Sequence, residues 1–204
     1  MIARVWTIRC VGLLVLFCPA GIQASDLLVG PYLQNVKSDA VTIMWETASP
    51  AIGKVIYGEN VLEHSAAEGA STTLHEVTLT GLLPGRTYKY LCSWADQLSD
   101  PAHFQTAPPE GTRVCRIVLY GDSRSNPETH ARIADLIARE EPDLVLNAGD
   151  LVARGSVYEL WKPQFLEPIL PHASTIPWFT VPGNHEQESP NYYNYVSLPG
   201  NEKW

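Results

Sequence analysis

The sequence predicts two unlike parts in series: an all-β N-terminal sandwich and, after it, the first half of an α/β domain. From residue 27 to about residue 106, apolar and polar side chains alternate with a period of two, and turn residues recur at short intervals. This pattern is typical of half-buried antiparallel strands. From residue 114 onward, short apolar runs alternate with helical periodicity, which predicts parallel strands joined by helices. The hydrophobic content of 45% is ordinary for a folded domain.

Residues 1–24 stand apart from both parts and are predicted to be an export signal. Arg4 and Arg9 precede an apolar run at residues 11–17, and small residues follow it, as in secretory signal peptides. The run is shorter than the roughly 20 residues that span a bilayer. We therefore expect a secreted or periplasmic protein whose mature chain has no transmembrane segment, with lipid attachment at Cys18 as the alternative.

The charge excludes one class of partner. The formal net charge is −8, the isoelectric point is about 5.2, and Lys and Arg do not cluster, so no nucleic-acid binding is expected. Two cysteines, Cys92 and Cys115, remain after the signal. In an oxidising compartment they can form a disulfide, but each lies in an apolar, strand-like segment where a free thiol is equally natural.

The first part, residues 27–107, has the size of a small antiparallel sandwich. Val41, Ile43 and Trp45 alternate with polar neighbours, as one face of a strand requires. The run at 82–88, which reads Leu-Leu-Pro-Gly-Arg-Thr-Tyr, resembles the tyrosine corner of fibronectin type III domains. Trp45 resembles the buried tryptophan of the second strand in that family.

The two ends of this part carry a further resemblance. The opening run at 30–35 and the closing run at 104–109 are similar to the edges of the N-terminal domain of purple acid phosphatases. Residues 107–111, which include two prolines, then form a short linker.

The second part, residues 112–204, is expected to contain three buried strands, the first of which is expected to be buried on both faces because its apolar run is continuous. A helix between the first two is predicted from Asn126 as N-cap, Pro127 in the first turn and Pro142 as terminator. The strands are expected at 114–120, 143–147 and 177–181, and a second helical region at 157–170. Because each strand is followed by a polar cluster, and parallel strands end at one edge of a sheet, these clusters are expected to meet there.

The three clusters are Gly-Asp at Asp122, Gly-Asp at Asp150 and Gly-Asn-His-Glu at residues 183–186. Their order and placement resemble the signature of the calcineurin-like metallophosphoesterase superfamily, and the preceding sandwich resembles its purple acid phosphatase branch. The resemblance implies hydrolysis of phosphate monoesters or diesters by two divalent or trivalent metal ions of the Fe, Zn or Mn class. Such a pair supplies a nucleophile and spreads charge over the phosphoryl oxygens.

The resemblance also implies a role for each residue. Asp122 corresponds to a ligand of one metal, Asp150 to the bridging carboxylate and Asn184 to a ligand of the second metal. His185 corresponds to the catalytic residue near the leaving group, where an imidazole donates a proton or stabilises the transition state.

Two positions depart from these families. Arg124 stands where the D-x-H motif has a histidine ligand, and Ala153 stands where purple acid phosphatases have a tyrosine. No iron–tyrosinate colour is therefore expected. Arg124 either binds the substrate phosphate as a bidentate fork or pairs with a neighbouring carboxylate.

The sequence ends at Trp204, before the two later histidine motifs of the family. We therefore expect only the N-terminal half of the catalytic domain, with an uncovered apolar sheet face and no activity alone. The alternative hypothesis is a non-catalytic secreted adhesion or carbohydrate-binding protein that uses the β-sandwich.

Overall fold

The computed structural model describes residues 26–112 and 114–200. The predicted signal at residues 1–24, including Cys18, lies outside the described residues. Within the described ranges, no helix combines the length and apolarity needed to cross a membrane.

The N-terminal part is a sandwich of two antiparallel sheets. One sheet has the order β1-β2-β5, and the other has the order β4-β3-β6, with both β7 and β8 paired to β6. The strands are β1 Leu27–Gln34, β2 Ala40–Ala51, β3 Gly53–Gly58, β4 His64–Ala67, β5 Thr72–Thr80, β6 Thr87–Trp94, β7 Gln97–Leu98 and β8 Ala102–Gln105. The predicted fibronectin type III-like fold is confirmed.

The residues that carried that prediction lie where the fold requires them. Trp45 is fully buried between the sheets and stacks on His75, with a centroid distance of 4.7 Å. The Tyr88 hydroxyl accepts a hydrogen bond of 3.0 Å from the backbone N–H of Leu83, which is the tyrosine corner. A side chain that anchors the chain five residues upstream fixes the turn between β5 and β6.

The second part contains a parallel three-stranded sheet of order β11-β10-β9. Its elements are β9 Ile117–Tyr120, α1 Pro127–Arg139, β10 Leu144–Asn147, a 3-10 turn at Tyr158–Leu160, a π-helical turn at Lys162–Leu166, α2 Glu167–Ala173, β11 Trp178–Thr180 and α3 Pro190–Tyr195. All three predicted strands are present, although each is shorter than its apolar run. The boundaries predicted for the two domains, at 107 and 112, stay predictions.

Helix α1 begins as its sequence predicts. The Asn126 side chain accepts a hydrogen bond of 3.1 Å from the backbone N–H of Thr129, and Pro127 occupies the first turn. The cap satisfies one of the N–H groups that a helix start leaves unpaired.

One face of the parallel sheet is exposed. Ile117 is 50% exposed and Leu119 is 69% exposed, and Leu146 on β10 and Val181 directly after β11 are also exposed. The opposite face packs against α1 and α2, where Val118 contacts the core. The prediction that the first strand is buried on both faces is therefore wrong, whereas the expected uncovered apolar face is present.

The two parts share a hydrophobic core. Val29, Tyr32 and Met44, on the outer face of the β1-β2-β5 sheet, belong to the same buried cluster as the helices of the second part. Strand β2 is consequently buried on both faces over residues 41–47, although its alternating pattern predicts only one buried face. The second face is covered because the α/β part packs on it.

Hydrogen bonds cross the same junction. The Gln34 side chain donates to the carbonyl of Trp178 at 3.0 Å and accepts from the backbone N–H of Ser197 at 3.1 Å. The Glu46 carboxylate is buried and accepts hydrogen bonds from the hydroxyls of Tyr158 and Tyr195. Polar groups from both parts therefore satisfy each other across the interface.

The two cysteines that follow the predicted signal are both free thiols. Cys92 is buried in the sandwich, where burial raises the pKa of its thiol. Cys115 is exposed near the start of the second part. No disulfide joins them, so the free-thiol alternative holds.

Candidate metal centre

The three polar clusters follow β9, β10 and β11 at the carboxyl edge of the parallel sheet. The first two loops are joined by backbone hydrogen bonds: the Asp122 N–H donates to the Gly149 carbonyl at 3.1 Å, and the Arg124 N–H donates to the Asp150 carbonyl at 3.2 Å. Asp122 and Asp150 both have left-handed backbone conformations, with φ of 52° and 57°. Such conformations are strained for residues with a side chain and persist where the surrounding structure fixes them.

The two carboxylates converge on one atom. Nη1 of Arg124 lies 2.7 Å from Oδ1 of Asp122 and 2.6 Å from Oδ2 of Asp150. The Asp150 side chain is sheltered, with 13% of its surface exposed, whereas that of Asp122 is 80% exposed. Of the two roles considered for Arg124, pairing with a carboxylate is the one seen here. Its predicted role in substrate binding stays a prediction.

The loop after β11 meets the same carboxylate. The His185 N–H donates to Oδ1 of Asp150 at 3.1 Å. A Cβ on Gly183 would lie 2.2 Å from that oxygen, so this close approach requires glycine. Asn184 lies between these two residues and is exposed. The three predicted metal ligands therefore lie on neighbouring loops at one rim of the sheet.

Glu186 organises this rim, although its position in the sequence motif predicts no separate role for it. Its carboxylate is fully buried and accepts four backbone hydrogen bonds: from Asp150 at 2.9 Å, Leu151 at 2.8 Å, Val152 at 3.1 Å and Gly183 at 2.6 Å. Charge-assisted bonds to ordered N–H groups offset the cost of burying a carboxylate. The glutamate thereby holds the second and third loops against each other.

His185 has one ring nitrogen engaged by the protein. Its Nδ1 lies 2.7 Å from the carbonyl oxygen of Ala153, and because a carbonyl only accepts, Nδ1 carries the proton. The Ala153 N–H in turn donates to the Gln164 side chain at 2.7 Å. These contacts fix the ring orientation and leave Nε2 as the nitrogen that can face a ligand.

A buried polar chain supports Gln164 from below. Nδ1–H of His130 donates to the Gln164 carbonyl at 3.0 Å, so Nε2 of His130 accepts from the Tyr120 hydroxyl at 2.9 Å. That hydroxyl accepts from Nε1–H of Trp178 at 3.0 Å. Burial lowers the pKa of His130 and raises the pKa of Tyr120 to about 12, which keeps both groups neutral. His130 is therefore a buried packing residue.

The donor atoms at the rim suit a hard metal ion. Two carboxylates and one amide supply oxygen, the donor that Mn²⁺ and Mg²⁺ prefer. In residues 26–112 and 114–200, no three His, Cys, Asp or Glu side chains come together as a metal-binding group. The carboxylate pair already holds a cationic group, the Arg124 guanidinium. By its chemistry the rim fits a cation, with Asp122, Asp150 and Asn184 as the residues that would hold it.

Comparison with known proteins defines the class. Residues 115–204 match the calcineurin-like phosphoesterase family. Membership of the family implies metal cofactors.

The relatives of the chain are acid phosphatases. It is 29% identical to acid phosphatase type 7 of Mus musculus, over 80% of this chain and 41% of the relative. It is 25% identical to a probable purple acid phosphatase 20 of Arabidopsis thaliana, over 89% of this chain and 43% of the relative. The chain thus spans less than half the length of these curated relatives.

A solved structure described as that of PhoD has the same fold. It superposes with a TM-score of 0.63 at 17% sequence identity, over 87% of this chain and 42% of that chain. The match extends across both the sandwich and the α/β part, so it supports their arrangement in one molecule. At this identity it shows the fold alone.

Proposed function

We propose that the protein is a phosphoesterase that hydrolyses phosphate monoesters or diesters at the rim formed by Asp122, Asp150 and Asn184. The observation that carries the proposal is the convergence of two carboxylates from separate strand ends on one position. Gathering like charges is unfavourable unless a cation offsets them. Residues 115–204 match a phosphoesterase family, and this match supports phosphate ester hydrolysis as the reaction at such a cation site.

Asp122, Asp150 and Asn184 are the residues that would hold the metals, which we expect to be of the Fe, Zn or Mn class. When bound, such metals supply a deprotonated water as nucleophile and offset charge on the phosphoryl oxygens. These residues provide three side chains for two metals. We therefore expect weak metal binding and no turnover from them alone.

His185 is proposed to act on the leaving group. Its Nδ1–H is held by the Ala153 carbonyl, so the ring presents Nε2 to the substrate in a fixed orientation. As the phosphorus–oxygen bond of the ester breaks, a protonated Nε2 donates its proton to the departing oxygen. Proton transfer of this kind contributes about 10²–10⁴-fold to rate.

The location of the enzyme is proposed from the pattern of residues 1–24. Residues 1–24 have the pattern of an export signal, so we infer a secreted or periplasmic enzyme that acts on phosphate esters outside the cytoplasm. The alternative of an adhesion or carbohydrate-binding sandwich receives less support. The outer face of its β1-β2-β5 sheet is buried against the α/β part, which makes the sandwich a structural companion.

The test is phosphatase activity of the full-length gene product with Mn, Zn or Fe added. Asp150→Ala is expected to lower kcat/KM by more than about 100-fold. Removing a residue that only hydrogen-bonds to a metal ligand already lowers metal affinity or activity by about 10–100-fold. The control is Asp135→Ala, which removes an exposed carboxylate of α1 that pairs with His172. Equal activity of wild type and Asp150→Ala would exclude this function.

A further inference from the structure

We propose that Arg124 and a metal ion compete for the same position between Asp122 and Asp150. The guanidinium then acts as a built-in cation that keeps a metal from this carboxylate pair until the metal displaces it. The inference deepens the proposed function and rests on it, because it concerns the same rim.

The contact between Arg124 and the two carboxylates leaves room for one cation. A single nitrogen, Nη1, lies within 2.7 Å of an oxygen from each carboxylate. A divalent ion bound to the same two oxygens needs distances of about 2.0–2.6 Å from each. The two cations would therefore occupy overlapping positions, and one must leave before the other binds.

Arg124 is held at this position by its backbone and by its sheltered surroundings. Its backbone N–H donates to the Asp150 carbonyl, so Arg124 is fixed to the loop that carries the Asp150 carboxylate. Its side chain is only 28% exposed, and that of Asp150 is 13% exposed. Ion pairs sheltered from water are screened less than exposed ones, so displacement of the guanidinium opposes metal binding.

The charge of Arg124 also opposes metal binding. The arginine offsets one of the two negative charges that would attract a metal. A neutral residue at position 124 leaves both carboxylates unpaired, which favours a metal and disfavours the metal-free protein. The same substitution should therefore have opposite effects on metal affinity and on metal-free stability.

The experiment is titration of the purified full-length protein with Mn²⁺, by calorimetry and by metal analysis after equilibrium dialysis. Arg124→Gln is expected to bind Mn²⁺ at least about tenfold more tightly than wild type, since a site that is blocked part of the time has a proportionally weaker apparent affinity. The control, Arg154→Gln, removes an exposed arginine four residues beyond Asp150. It is expected to change the affinity by less than about twofold, because interactions of solvent-exposed charges are weak.

A second measurement separates competition from a purely structural role. Without metal, Arg124→Gln should melt at a lower temperature than wild type, and saturating Mn²⁺ should raise its Tm by more than it raises that of wild type. Arg124→Lys, which keeps the charge, should bind Mn²⁺ with intermediate affinity and allows the test even if the glutamine variant does not fold.

The inference is overturned if removing the arginine leaves Mn²⁺ affinity unchanged, weakens it, or if all variants fail to bind. Its failure differs from failure of the proposed function. Equal Mn²⁺ binding by wild type and Arg124→Gln would contradict only the competition between Arg124 and the metal. Undiminished phosphatase activity in Asp150→Ala would contradict the proposed phosphoesterase function.

Discussion

Single side chains at the rim act mainly by fixing the backbone of the loops that follow the strands. Glu186 collects four N–H groups from two loops, and Gly183 leaves room for the Asp150 carboxylate. His130 supports the orientation of His185 indirectly, through hydrogen bonds that pass by way of Gln164 and Ala153. Rigid support of this kind fixes the geometry that a catalytic site needs.

His130 gives a prediction about pH. Its pKa is lowered in the folded protein by burial, so below about pH 6.5 the unfolded state binds a proton that the native state does not. Stability contributed by the neutral ring is present above pH 6.5 and is lost as the pH falls toward the folded pKa. The urea concentration at the unfolding midpoint of wild type should therefore decrease as the pH is lowered from 7.5 to 5.5.

The matched variant for this prediction is His130→Asn, whose amide N–H can still donate to the Gln164 carbonyl. It should be less stable at pH 7.5, because packing against Phe165 is reduced, but its midpoint should change less with pH. An equally steep pH dependence in both proteins would assign the effect to other groups.

At the level of elements, the parallel sheet is asymmetric. One face of β9 is packed on the helices, and the other presents Ile117 and Leu119 to solvent. Exposed contiguous apolar surface of this kind promotes association. The rim lies at the carboxyl edge of the same sheet, so the strands position the site while this face contributes no burial.

Two neighbouring substitutions test the asymmetry. Val118→Thr, on the packed face of β9, should lower the free energy of unfolding by about 1 kcal/mol, since it places a hydroxyl at a partly buried apolar position. Leu119→Thr, on the exposed face, should change it by less than about 0.5 kcal/mol and reduce binding of an apolar dye. Urea unfolding of the 204-residue chain and dye fluorescence measure both. Equal destabilisation would mean that this face is covered in solution.

At the scale of the whole molecule, the sandwich and the α/β part are joined by a packed junction. It combines shared apolar residues such as Tyr32 and Met44 with the buried Glu46 carboxylate. That carboxylate lies near Tyr195, whose pKa is raised first by burial and then by the hydrogen bond with Tyr158. The tyrosine therefore remains a protonated donor to Glu46. An interface of this kind favours unfolding of the two parts together.

Tyr195→Phe should weaken that coupling. It removes one of two hydroxyl donors to a buried carboxylate, and hydrogen bonds to charged groups contribute about 1.5–3 kcal/mol. We expect a loss of stability of this size, measured by calorimetry, with broadening or splitting of the transition. Tyr57→Phe removes a hydroxyl from the sandwich, away from the junction, and should cost less than about 0.5 kcal/mol. A similar loss in both variants would contradict a special role for the junction.

The sequence by itself determined the order of elements, the sandwich followed by parallel strands, and the residues of the rim. This was possible because period-two alternation, the Asn126 cap and the polar clusters after each strand are local signals. It also raised both roles for Arg124, without a basis for choosing between them.

The tertiary structure decided what depends on neighbours distant in sequence. The second face of β2 is buried because another part of the chain covers it, and the outer face of β9 is exposed because none of the described residues does. Arg124 pairs with two carboxylates because loops from separate strands converge. Glu186 is an anchor because its four N–H partners come together only in the fold. Burial and convergence are properties of packing, and no local pattern encodes them.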